Sequence, residues 1–157
     1  MKPNSRSRKE AGTTLLELIL ACSILLILAE AALPAIRIAM IRPREAELRR
    51  DLREMRTAID RYKDMADLNL VQVKAGSQGY PPDLETLVNG VQYGPSGVQK
   101  IRFLRRIPVD PMTGHAEWSL SSIQDDPDST DWSGDNVFDV HSKSQGTALD
   151  GTKYSDW

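Results

Sequence analysis

Chemically versatile side chains are sparse in this 157-residue chain. There are two histidines, His115 and His141, one cysteine, Cys22, and a scatter of aspartates toward the C-terminal end. His115 falls in a Met-Thr-Gly-His turn and His141 at a strand end, and both read as exposed polar residues. Neither a phosphate-cradling glycine loop nor a metalloprotease helix is present. The acidic stretch Asp125, Asp126, Asp128, Asp131, Asp135 lacks the oxygen spacing and the glycine of an EF-hand loop, and reads as a solvated surface. No catalytic constellation emerges, and the chain is not expected to be an enzyme. The residue with the most pointed chemistry is Glu17, a carboxylate set inside an apolar run just after Gly12 and Thr13. A bare carboxylate in a bilayer is costly, so an acid in such a place is usually paired or functional.

The elements that must position Glu17 follow from hydropathy. The run TTLLELILACSILLILAEAALPAIRIAMI covers residues 13–41, enough for the ~20 residues that a membrane helix needs. Lys2, Arg6, Arg8 and Lys9 precede it against Glu10 alone, a bias that keeps the N-terminus on the cytoplasmic side. Ala29, Ala31 and Ala32 could pass for a secretory cleavage site, and Ile19-Leu20-Ala21-Cys22 loosely resembles a lipobox. Yet the apolar pattern does not stop there. It changes register after Arg42. Ile41, Leu48, Leu52, Met55, Ile59 and Tyr62 form a heptad-like stripe among charges. A stripe this narrow packs on its own domain more often than in a coiled coil. Pro34 and Pro43 are the only strong breakers, and membrane helices tolerate proline. The expectation is one helix of about 50 residues, roughly 80 Å long. Its basic stem, Arg42 to Lys63, is interspersed with acids and carries the apolar stripe, so no nucleic-acid role is expected.

Beyond the stem the chain reads as a small head. A short helix is expected from about Pro82 to Val88, started by two prolines with Asp83 and Glu85 in the first turn. Alternation at Ala116, Trp118 and Leu120 predicts one strand. NVFDVHS predicts a second, with Val137 and Asp139 on one face and Phe138 and Val140 on the other. The last stretch, SKSQGTALDGTKYSDW, is turn-rich.

Gly12 followed by Thr13, Thr14, Leu15, Leu16 and Glu17 and then an apolar run resembles the processing site of type IV pilins and of the pseudopilins of type II secretion. The order of the head segments, YPPDLETL, then RRIPVDPMTG, then VFDVHS and a final Asp-Trp, is similar to the G-type major pseudopilin. A typical pilin carries a C-terminal disulfide, which the lone Cys22 cannot supply. The resemblance implies a pilin-like α+β fold, a long N-terminal helix packed on a small antiparallel sheet head. It implies a cleaved leader over 1–12, a membrane and filament-core helix over 13–41, an amphipathic stem over 42–66 and a periplasmic head over 67–157. A prepilin peptidase would cut between Gly12 and Thr13, and Thr13, where the family usually has phenylalanine or methionine, would be N-methylated. Glu17 and Pro34 then take the places of the family's assembly glutamate and helix proline. The terminal amine of one subunit would neutralise Glu17 of its neighbour. Glu30 either faces Arg37 of a neighbour or marks an exit from the bilayer.

The implied function is structural: a homo-oligomeric pseudopilus anchored in the bacterial inner membrane, helping to export folded proteins with minor pseudopilins and an inner-membrane assembly platform. The alternative is a pilus subunit for adhesion, motility or DNA uptake. The family's C-terminal loop holds calcium, which here would fall to Asp150 and Asp156 as carboxylates, beside Ser142 and Thr152. The family's first aspartate is replaced near Gln145 and its adjacent acidic pair falls near Thr152 and Lys153. The plain reading of the same stretch is a turn with solvated acids, Asp150-Gly151 forming a hairpin.

Overall fold

The computed structural model describes residues 14–94, 99–126, 129 and 131–157, with side chains at 31–35 left aside. Gly12, Thr13 and Asp128, and the side chain of Pro34, lie outside the described residues. The protein is α+β. Helix α1 spans Leu15–Asp67, continuing through positions 34 and 43. There follow α2 (Leu84–Asn89), β1 (Val91–Tyr93), β2 (Gln99–Ile101), β3 (Trp118–Ser121), β4 (Asp139–Ser142) and a 3-10 turn at Tyr154–Asp156. By contacts the chain forms two units, Met1–Ala39 and Met40–Trp157.

In the first unit every described side chain from Leu15 to Glu30 is exposed, and so are Ile36 to Ala39. Leu16 is 77% exposed and Ile27 68%, although both are strongly apolar. An apolar surface that continues all round a helix marks an interaction or lipid-facing surface. No helix among the described residues is long and apolar enough to cross a membrane. The apolar run is described with side chains only over 15–30 and again from 36, each short of the ~20 residues a span needs.

In the second unit the stripe is buried from Leu48 onward, while Ile41, its first expected member, is only half-buried and outside the core. Leu48, Leu52, Met55, Ile59 and Tyr62 are each at most 2% exposed, and Ala58 and Ala66 extend their row. They pack with Leu84, Leu87, Leu104, Trp118, Val137, Val140 and Tyr154 into one core. Tyr62 meets Phe103 edge to face at 5.4 Å. Burial of an aliphatic side chain contributes about 1.5–3 kcal/mol, so this stripe supplies much of the head's stability.

The head departs from a single sheet. β1 and β2 pair antiparallel, Val91 opposite Ile101, and β3 and β4 pair antiparallel, Trp118 opposite Ser142. The two ribbons do not join. Between them the chain from Arg102 to Glu117 folds into turns, anchored at its start to α2 and closed further on by a local bond. Phe103 and Leu104 both donate N–H to Leu87 O, and Asp110 N donates to His115 O. The second strand also starts later than its pattern predicts. Val137 and Val140, three apart, are both fully buried while Phe138 is 44% exposed. Strict alternation would separate the two valines. Val137 instead donates its N–H to Pro81 O and Phe138 to Ser121 O, and the pleat begins only at Asp139.

Helix α2 begins after the prolines because Asp83, in extended backbone, is its N-cap. The Asp83 carboxylate accepts from Thr86 N and Thr86 Oγ1, each at 2.6 Å. Gly90 ends it at φ 79°, and a Cβ there would collide with Ile101 O. The Pro-Val-Asp-Pro segment gains its role from Asp110, which is fully buried. One carboxylate oxygen accepts from Met112 N at 2.7 Å and the other from Ser142 Oγ at 2.6 Å, tying the turn to β4. Asp110→Ala leaves the buried Ser142 hydroxyl and the half-buried Met112 N–H without their acceptor, and is expected to lower unfolding stability by about 2 kcal/mol. Denaturant melts of the detergent-solubilised chain check this. Paired with Ser142→Ala in a double-mutant cycle, the two losses should fall well short of additive.

Candidate functional site

Two places carry the residues singled out above: the start of α1 and the C-terminal loop. At the first, Thr14 caps α1. Its Oγ1 accepts the Glu17 N–H at 3.2 Å, and its carbonyl accepts Leu18 N at 3.1 Å. Thr14-Leu15-Leu16-Glu17 has the Ser/Thr-x-x-Glu spacing of a capping box, a signal that was legible in the sequence and passed over. Glu17 thereby also lies in the first turn, where the helix dipole favours an acid by about 0.3–1 kcal/mol. Its carboxylate is exposed and makes no ion pair or hydrogen bond among the described residues. Glu30, Arg37 and Cys22 are exposed as well.

The C-terminal loop is clasped to one flank of α1 by three residues that sequence reasoning did not single out. Glu45 Oε1 accepts from Leu149 N at 2.8 Å and from Tyr154 Oη at 3.1 Å. Arg49 donates to Asp150 Oδ2 at 3.1 Å, and its guanidinium lies 4.0 Å over the Trp157 ring. Arg56 reaches Asp139 Oδ1 at 2.6 Å, Val140 O at 3.0 Å and the Trp157 main-chain oxygen at 2.9 Å. His141 Nδ1 stands 3.0 Å from that same oxygen and donates to it, since the oxygen can only accept. Tyr154 packs edge-on against Trp157 at 5.3 Å. A fork with several donors holds divergent acceptors better than an ammonium does, which is why arginine and not lysine serves here.

These contacts decide how Asp150 and Asp156 stand as calcium ligands. Asp150 Oδ1 accepts from Thr152 N at 3.0 Å and Thr152 Oγ1 at 2.6 Å, while Oδ2 faces Arg49. Both Asp150 oxygens are committed to donors, and a cation already sits beside them. Asp156 Oδ1 accepts from Ser155 Oγ at 3.0 Å. Ser142 Oγ, the other expected oxygen, donates to Asp110. No group of three or more His, Cys, Asp or Glu side chains among the described residues is placed to hold a metal. A calcium ion needs six to eight oxygens free of competing protons. As arranged, the loop does not fit one, and Arg49 provides the positive charge that orders it.

The Thr152 hydroxyl and N–H, with the Arg49 charge beside them, hold the Asp150 carboxyl below the ordinary value of 3.8. A depressed carboxylate stabilises its contact above its unfolded pKa and loses that contribution as pH falls through the lower folded pKa. Glu45 and burial together push the Tyr154 hydroxyl up, burial contributing most.

No protein-family model, no curated protein and no solved structure matches the chain.

The detergent-solubilised chain is expected to melt at the same temperature with calcium as with chelator. Arg49→Ala should speed tryptic cleavage after exposed Lys153 several-fold at unchanged global melting temperature, because exposed pairs of this kind contribute little to overall stability. A melting temperature that rises with calcium would show that the loop takes the ion after all. In an NMR titration, the Trp157 indole N–H, bonded to Thr152 Oγ1 at 2.7 Å, should shift only at a pH lower than that at which an ordinary aspartate titrates, because the Asp150 anchor of Thr152 keeps its charge to lower pH.

Proposed function

We propose that the chain is a structural subunit of a pilin-type filament, closest in kind to the major pseudopilin of a type II secretion pseudopilus. One observation carries this reading. A single helix, Leu15–Asp67, is apolar and exposed on all described sides over its first part, and buried along one stripe by its own head over the second. The exposed apolar surface of that first part is left to contact lipid or other copies. In such a filament the staggered apolar helices form the core and the heads form the outer surface.

Glu17 then serves two hosts. Before assembly it sits at the positive end of the helix beside the Thr14 cap. In the filament it meets the terminal amine of a neighbour, released when a prepilin peptidase cuts after Gly12. The pair supplies register, the best-attested use of a buried charge pair. The lone cysteine favours a pseudopilus over a pilus subunit that relies on a C-terminal disulfide.

Mass spectrometry of the membrane-extracted protein should find Thr13 at the mature N-terminus. Any other terminus sinks the reading. Glu17→Gln is expected to insert and fold its head normally while filament yield falls at least tenfold. Thr14→Ala, which removes the cap and keeps the charge, should cost helix stability by about 1 kcal/mol with filament yield near wild type. Equal filament yield from wild type and Glu17→Gln would retire the charge-pair role.

A further inference from the structure

The stripe that α1 buries has two flanks. The C-terminal loop covers the one bearing Glu45, Arg49 and Arg56. On the other an open groove of about 570 Å³ runs between α1 and the segment after β2. Arg50, Arg53, Arg61 and Arg105 line it, Phe103 forms its apolar wall, and Glu54 is the one acid at its edge. Arg50 is engaged by Asp51 at 3.1 Å and Glu47 at 3.6 Å. Arg53, Arg61 and Arg105 are exposed and make no ion pair among the described residues. Guanidinium groups gathered along one groove repel one another and raise its positive potential, which an anionic occupant relieves.

The same chain carries a matching shape. Between Arg106 and Lys143 there is no lysine or arginine, while acids recur throughout. Within this acidic lobe Asp131, Trp132, Ser133, Gly134 and Asp135 form an exposed corner. Trp132, 38% exposed, donates Nε1–H to Asn136 O at 2.7 Å. Ser133 donates its hydroxyl to Ser122 Oγ at 2.9 Å and its N–H to Asp125 Oδ2 at 3.4 Å. The Ser122 N–H, which Asp125 Oδ2 accepts at 2.8 Å, and Ser133 beside it hold the Asp125 carboxyl below its ordinary value. The corner is thus an aromatic ring flanked by two carboxylates on a fixed backbone. Preorganisation of this kind lowers the entropy cost of docking. Tryptophan and arginine dominate binding energy at interfaces, and an arginine over an indole face adds cation–π attraction.

We propose that the arginine groove of one copy takes the Asp131–Asp135 corner of a second copy. The proposal rests on the filament reading and assigns it a contact between the heads of neighbouring copies. Groove and corner are different surfaces, so the contact is heterologous. Repeated without closure, it extends as a helical array rather than stopping at a dimer. The net charge of the chain is only −2, yet the charge is segregated between stem and head. Segregation at low net charge favours head-to-tail attraction between copies. It favours a bound polyanion less, because Glu54 interrupts the basic lining.

The test uses the full chain in membranes, with Cys22→Ser as background. Oxidation of Thr57→Cys combined with Ser133→Cys should give a ladder of disulfide-linked oligomers, and either cysteine alone should not. Arg53→Glu with Arg61→Glu should cut filament yield at least tenfold, and so should Asp131→Arg with Asp135→Arg. Co-expressed, the two defective variants should assemble together, since each supplies what the other has reversed. That rescue also shows both to be folded. Wild-type yield from either reversal alone, or no co-assembly, overturns the proposal and leaves the filament reading standing. Loss of heparin binding or of anionic-vesicle binding in Arg53→Glu/Arg61→Glu, with filaments intact, overturns it in favour of nucleic acid or membrane. A wild-type chain that forms no ordered oligomer overturns the filament reading and this contact with it.

Discussion

Leu48, Leu52, Met55, Ile59 and Tyr62 are buried against the head on one face of α1, and the other features of Met40–Trp157 are arranged around that contact. A helix needs its apolar face covered, and two short ribbons need something to pack on, because a two-stranded ribbon is marginal by itself. Neither partner is stable without the other. The ribbons do not pair with each other, so the helix is their common support. Removal of one stripe side chain to alanine would act on both, at a cost of about 2–5 kcal/mol for a leucine or methionine.

The arginines of α1 sort by angle around that stripe. Arg49 and Arg56, seven apart, share a flank and are used internally, on Asp150, Trp157, Asp139 and two backbone oxygens. Arg50 and Arg61 point to the opposite flank, and Arg53, about 40° round the helix from Arg49, lies between the two sets; Arg53 and Arg61 find no partner among the described residues. Sequence spacing alone thus separates Arg49 and Arg56 from Arg50 and Arg61 and leaves Arg53 at the boundary. One residue inserted between Arg49 and Arg53 would rotate the rest of the stem by 100° and mix the two sets.

Legibility followed the range of the interaction. The stripe was readable because its period is local, and all five core positions from Leu48 to Tyr62 are buried. Helix α2 was readable to within two residues, since Asp83 and Thr86 act across three positions. Thr14 and Glu17 also signal locally. The clasp was not readable, because Glu45 and Tyr154 are 109 residues apart and Asp110 and Ser142 are 32 apart. No pattern in either segment names the other. Val137 and Val140 misled for a related reason: their burial is set by Pro81 and Ser121, contacts outside the strand's own alternation.

The Asp150 environment shows how a loop can be ordered by a cation that the chain itself supplies. A divalent ion orders such a loop by drawing carboxylates and carbonyls inward from separate places in the chain. Here the convergence is achieved from the helix side. Arg49 brings one positive charge to Asp150 and stacks on Trp157, while Thr152 bonds both Asp150 and the Trp157 indole. Thr152 supplies a hydroxyl that donates to the carboxylate and accepts from the indole, two roles an acid at that position would perform only in part. A loop ordered this way responds to ionic strength and to low pH. Its counter-charge is part of the chain.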